Sequence, residues 1–148
     1  MIAITNGKIV TVTGETYENG TVLVENGKIT AVGADVSIPA GAEVIDVKGG
    51  WVTPGLIDAH THICNFNEPD TMPALCKDGN EMSDPITPQV RAADAINPCD
   101  YAIEKVRNAG FTTVCTLPGS ANVCGGTGIV RTVDLATLVP DPSLTIEE

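Results

Sequence analysis

One stretch constrains this chain more than any other: residues 51–62, Trp-Val-Thr-Pro-Gly-Leu-Ile-Asp-Ala-His-Thr-His. Pro54-Gly55 breaks the chain, and the mostly apolar run Leu56-Ile57-Asp58-Ala59 then leads into His60 and His62, the only histidines in the sequence. Side chains two apart on a strand point to the same face. A strand here therefore delivers both imidazoles side by side into one space. Neutral imidazole ligates Zn²⁺ and other transition ions, so the pair supplies half of a tetrahedral set or part of an open catalytic one. Taken alone, His-x-His also describes two partly exposed strand histidines without a ligand. Its surroundings decide between the two.

Composition narrows the field. The 148 residues are 43% hydrophobic and 18% charged, which suits a folded chain able to build a core, and with 3% aromatics that core rests on Val, Ile, Leu and Ala. Nineteen acidic residues against eight basic ones give a net charge of −11. No basic cluster and no aromatics interleaved with cations are present to neutralise phosphate, which excludes a nucleic-acid partner. The acidic excess is read as solubility. The N-terminus lacks the basic and apolar regions of a signal peptide, and no run approaches the length of a membrane span. A soluble, cytoplasmic protein is the expectation.

Five cysteines, Cys64, Cys76, Cys99, Cys115 and Cys124, form an odd set without a C-x-x-C pair, which argues against a disulfide framework or a structural zinc knuckle. Cys64, two residues past His62, would extend the histidine face as a thiolate. A small buried residue at the strand end is the preferred reading.

The first fifty residues read as a small antiparallel β unit. Asn-Gly, the strongest short hairpin signal, occurs at Asn6-Gly7, Asn19-Gly20 and Asn26-Gly27. Around these lie alternating runs at 2–5, 8–13, 21–25 and 28–32, with a further strand at 43–47 before Gly49-Gly50. No chemistry is visible in this unit.

After His62 comes a long irregular stretch, 63–87, of a length that is uncommon in compact domains and usually functional; Asn65, Glu68 and Asp70 are its candidates for lining a site. Helices are predicted over 87–96, with Thr87 as cap and Pro88 at the first position, and over about 100–108, with Gly110 past its end. Phe111 to Leu117 reads as a second strand, parallel to the first across a βαβ unit. The turn Pro118-Gly-Ser-Ala-Asn122 then presents Ser120 and Asn122 at that strand's C-terminal end, as a backbone-rich loop lining a substrate pocket. It matches neither a Walker loop nor a dinucleotide fingerprint. A strand over 129–133 and a helix beginning at 141–148 complete the reading.

The run Val52 to His62 resembles the signature of the amidohydrolase superfamily, most closely its imidazolonepropionase-like branch. The segments 84–91, 95–98 and 119–122 extend the likeness over about residues 1–130. The resemblance implies an α/β fold: a small N-terminal β-sandwich portion over 1–50, then the first βα units of a (β/α)₈ barrel over 51–148. It also implies that His60 and His62 end the first barrel strand and hold a catalytic divalent transition metal, with zinc the first expectation. Asp58 shares their alternation and is placed to orient a ligand or to close the barrel floor.

The activity implied is hydrolysis of carbon–nitrogen bonds other than peptide bonds, on a small-molecule amide, by metal-activated water. The catalytic residues are unknown. The further ligands and the base that relatives use have no counterpart in this sequence, and a full barrel needs about 250 residues. The expectation is therefore an incomplete barrel, inactive by itself, whose unpaired edge favours association with further copies of the chain. Two other classes stay open: a non-catalytic relative serving assembly, and a free-standing β-rich binding module.

Overall fold

The computed structural model describes residues 1–68 and 79–133, together with the backbone of 145–146. It divides into two compact units, Met1–Pro54 and Gly55–Glu148. Both are built mostly of strands.

The first unit is one five-stranded sheet. Strands β1 (Ile2–Val10), β2 (Thr16–Glu25) and β3 (Lys28–Gly33) pair antiparallel, while β4 (Glu43–Asp46) and β5 (Trp51–Val52) both add to the other side of β1 in parallel. The sheet is mixed where an antiparallel one was expected. Asn26-Gly27 is the hairpin turn that the sequence signals: both residues have positive φ, 51° and 74°, and Glu25 faces Lys28 across it.

The other two Asn-Gly pairs make no turn. Between Ile4 and Gly7, β1 advances three residues against two of β2, and between Gly7 and Ile9 the imbalance reverses. The pairs thus sit in two compensating bulges, with Gly7 facing Gly20. Close packing explains the glycines. A Cβ on Gly7 would lie 2.7 Å from Val52 Cγ2 and 2.8 Å from Val47 Cγ2, and one on Gly20 would lie 2.6 Å from Ile9 Cδ1. The turn that joins β1 to β2 lies instead over 11–15, where Val12 and Gly14 have positive φ.

In the second unit, β6 (Leu56–Thr61) and β7 (Phe111–Thr116) are parallel, joined by a crossover that contains α1 (Tyr101–Asn108). This is the expected βαβ unit. Asp100 caps α1 by accepting from the Ala102 N–H, and Gly110, at φ 92°, ends it. Strand β8 (Gly128–Thr132) returns antiparallel beside β7, and β9 (Thr145–Ile146) pairs antiparallel with β8. Beneath the sheet, Ile103 of α1 packs against Cys64, Val114 and Val133.

Two helix expectations fail here. Over 87–96 only a 3-10 turn, Ala92–Asp94, forms. The backbone groups a helix would use are engaged with the segment 124–127: Thr87 donates to Cys124, Ala92 donates to Thr127, and Val90 accepts from Thr127. The helix expected to begin over 141–148 is replaced at 145–146 by β9, and the rest of that segment lies outside the described residues.

Candidate metal centre

Strand β6 ends with His60 inside it and His62 just past it, and their rings meet edge to face with centroids 5.2 Å apart. His60 is exposed and His62 half-buried. His62 meets Leu117, the first residue past β7. Its N–H donates to Thr61 O at 2.8 Å, and its carbonyl lies 3.0 Å from His62 Nδ1. A carbonyl only accepts, so in the neutral ring, the form that ligates a metal, Nδ1 carries the proton and Nε2 the lone pair. A ligating imidazole tied to a backbone carbonyl through its other nitrogen has its tautomer and orientation set before any metal arrives.

The loop after β7 reaches the same nitrogen. Ser120 Oγ lies 3.3 Å from His62 Nε2, so the hydroxyl is directed at the lone pair that a metal would take. Phe66 closes another side, its ring 5.8 Å from that of His62. Asn122 stands further off and shapes the loop: its Nδ2 donates to the carbonyls of Glu81 and Asp84 at 2.8 and 2.9 Å.

As ligands, the two imidazoles suit a divalent transition metal but do not complete its set. Among the described residues, no group of three His, Cys, Asp or Glu side chains converges where a metal could be held. Asp58 turns to its own strand, Oδ1 accepting from the His60 N–H at 3.1 Å. Cys64 faces the core. Burial pushes its thiol up to about 11, so it stays protonated at neutral pH and offers no thiolate.

The irregular stretch after β6 places its candidates apart. Asn65 is 1% exposed and lines a polar cavity of about 270 Å³ with Asn80, Glu81, Arg91 and Pro118. Glu68 is exposed and paired with Lys105 of α1. Asp70 lies outside the described residues. Sequence reasoning missed Leu117, which acts through backbone atoms and leaves no side-chain signature. It also missed Phe66, one aromatic in a stretch read for its carboxylates and amides.

The model of the Amidohydrolase family matches residues 51–142. A crystal structure of an amidohydrolase from Thermotoga maritima superposes with a TM-score of 0.81 at 40% identity, covering 96% of this chain and 37% of that one. An amidohydrolase of Hapsidospora irregularis is 38% identical over 112 residues, 72% of this chain and 11% of its own length. An imidazolonepropionase of Geobacillus kaustophilus is 57% identical over 53 residues, 31% of this chain and 12% of its own. The chain thus spans only a minor part of these relatives' length. On the family match and the fold, the chain belongs to the amidohydrolase family.

Proposed function

We propose that this chain forms part of a metal-dependent hydrolase of carbon–nitrogen bonds other than peptide bonds, acting on a small-molecule amide. The observation that carries the reading is His62, with Nδ1 tied to the Leu117 carbonyl, Nε2 met by the Ser120 hydroxyl and the His60 ring beside it. A bound divalent metal, zinc first, would lower the pKa of water toward neutrality and polarise the carbonyl under attack. His60 and His62 are its ligands here. The remaining ligands and the base are assigned to residues of the whole protein other than those described here.

Ser120 and Asn122 are assigned to the substrate space. Support comes from the 3.3 Å approach of Ser120 to His62 and from the way Asn122 fastens the loop to 81–84. In the whole protein, Ser120→Ala or Asn122→Ala is expected to lower turnover without changing metal content. The order 1–50 then 51–148 is read as a β-sandwich portion followed by opening barrel units, in a cytoplasmic protein.

The test is a titration of the chain with Zn²⁺ or Co²⁺ beside the His60→Ala/His62→Ala double variant. Two neutral ligands predict weak binding, well short of a full site, that the variant loses. Indistinguishable isotherms would remove the metal reading.

A further inference from the structure

Asp100 is a carboxylate only 3% exposed. A charge this deeply buried requires partners, and among the described residues its side chain has three, all backbone N–H groups. Oδ2 accepts from Cys64 at 2.8 Å, and Oδ1 accepts from Glu68 at 2.9 Å and Ala102 at 3.0 Å. Only Ala102 belongs to the helix that Asp100 caps. The other two donors lie in the segment that leaves β6 directly after His62, so the carboxylate joins the start of α1 to the metal-ligand strand's exit.

That exit turns on Cys64, a non-glycine residue at φ 70°. A residue with a Cβ takes this left-handed conformation only against a steric cost, and the surroundings must hold it there. The Cys64 N–H is held by Asp100, its carbonyl accepts from Asn97 N at 2.8 Å, and its side chain is packed in the core. Beyond the turn the chain folds back: Asn65 and Phe66 donate their N–H groups to His62 O at 3.2 and 3.0 Å, and the Phe66 ring comes to rest against the imidazole.

We infer that Asp100 is a positioning residue for His62: its carboxylate holds the chain turn at Cys64, and that turn seats Phe66 against the imidazole and fastens the strand end. The consequence for metal binding rests on His62 being a ligand; the effect on the ring does not.

The experiment uses Asp100→Asn and Asp100→Ser in the 148-residue chain. Asn caps a helix as well as Asp does. One of its two terminal atoms is now a donor, however, so whichever way the amide turns, an N–H meets an N–H, and the three bonds cannot all be kept. Ser keeps the cap with a single oxygen and gives up the reach to Cys64 and Glu68. Backbone amide exchange and the ring ¹⁵N signals of His62 are read without metal, and Co²⁺ binding is read separately.

In both variants α1 is expected to persist, the Cys64 amide to exchange about tenfold faster or more, joined by the Glu68 amide in Asp100→Ser, and the His62 signals to move away from a pure Nδ1–H tautomer. Co²⁺ affinity should fall about tenfold. Unchanged His62 signals with α1 intact would overturn the inference, whatever cobalt does, and would leave Asp100 a helix cap alone. If His62 responds but the parent chain binds no Co²⁺, the positioning role stands and the metal assignment falls.

Discussion

The glycine at the foot of the histidine strand offers a sharp test of how β6 is placed. A Cβ on Gly55 would lie 2.1 Å from Thr112 Cγ2, 2.2 Å from its Oγ1 and 2.6 Å from its Cβ. Ordinary carbon contacts run at about 3.5–4.0 Å. Rotating Thr112 about χ1 moves the first two atoms but leaves its Cβ in place, so the two backbones must separate by about 1 Å. The Leu56 N–H to Gly110 O bond, 2.9 Å, resists that movement.

Overpacking of this kind costs about 1–3 kcal/mol, from which the stiffening of the unfolded chain by alanine returns about 0.4–1 kcal/mol. Gly55→Ala is therefore expected to destabilise the second unit by up to about 2.6 kcal/mol on these terms. Thr112→Gly removes all three offending atoms. In a double-mutant cycle read by urea unfolding, Gly55→Ala should cost little on the Thr112→Gly background, giving a coupling of about 1–3 kcal/mol. Because β6 carries His60 and leads into His62, Zn²⁺ binding should weaken in the single variant and recover in the double. Additive effects, within about 0.5 kcal/mol, would refute close approach as the reason for this glycine.

Three further outcomes follow from the same structure. The Cys64 thiol, raised from 9.0 to about 11 by burial, binds its proton more tightly folded than unfolded, so its contribution is complete below pH 9 and lost as pH rises from 9 to 11. Of order 1–3 kcal/mol is at stake, and stability profiles against pH for the parent and Cys64→Ala should differ in slope only in that window. Gly7→Ala, which drives a Cβ into Val47 and Val52, should lower the melting temperature more than Gly27→Ala, which meets open space and incurs only the cost of φ 74°, about 1–2 kcal/mol; equal losses would mean that the bulge tolerates a side chain. Leu56 and Ile57 of β6 are 49% and 70% exposed, so the chain should self-associate with rising concentration in sedimentation velocity, and Ile57→Lys should reduce it. A monomer at all concentrations would count against that reading.

The local features were legible in the sequence wherever one residue pair decides them. Asn26-Gly27 makes a hairpin because both residues take positive φ in a two-residue turn. The His60 and His62 rings come together because strand alternation places residues two apart on one face. Gly110 ends a short helix through the positive φ that its own backbone permits, and the parallel pairing of β6 with β7 follows from a helix lying between them.

What only the tertiary structure decided depends on partners distant in sequence. Identical dipeptides at 6–7 and 19–20 became bulges because β1 and β2 approach closely there and β1 takes further partners at 43–46 and 51–52. The apolar and capping pattern over 87–96 gave way to a 3-10 turn because 124–127 offered its backbone groups hydrogen bonds that a helix would have supplied internally. The candidate site divides the same way. The histidines were legible because their chemistry is in their side chains. Leu117, which sets the His62 tautomer from 55 residues away, acts through its backbone carbonyl, a group every residue carries, so only the fold could single it out.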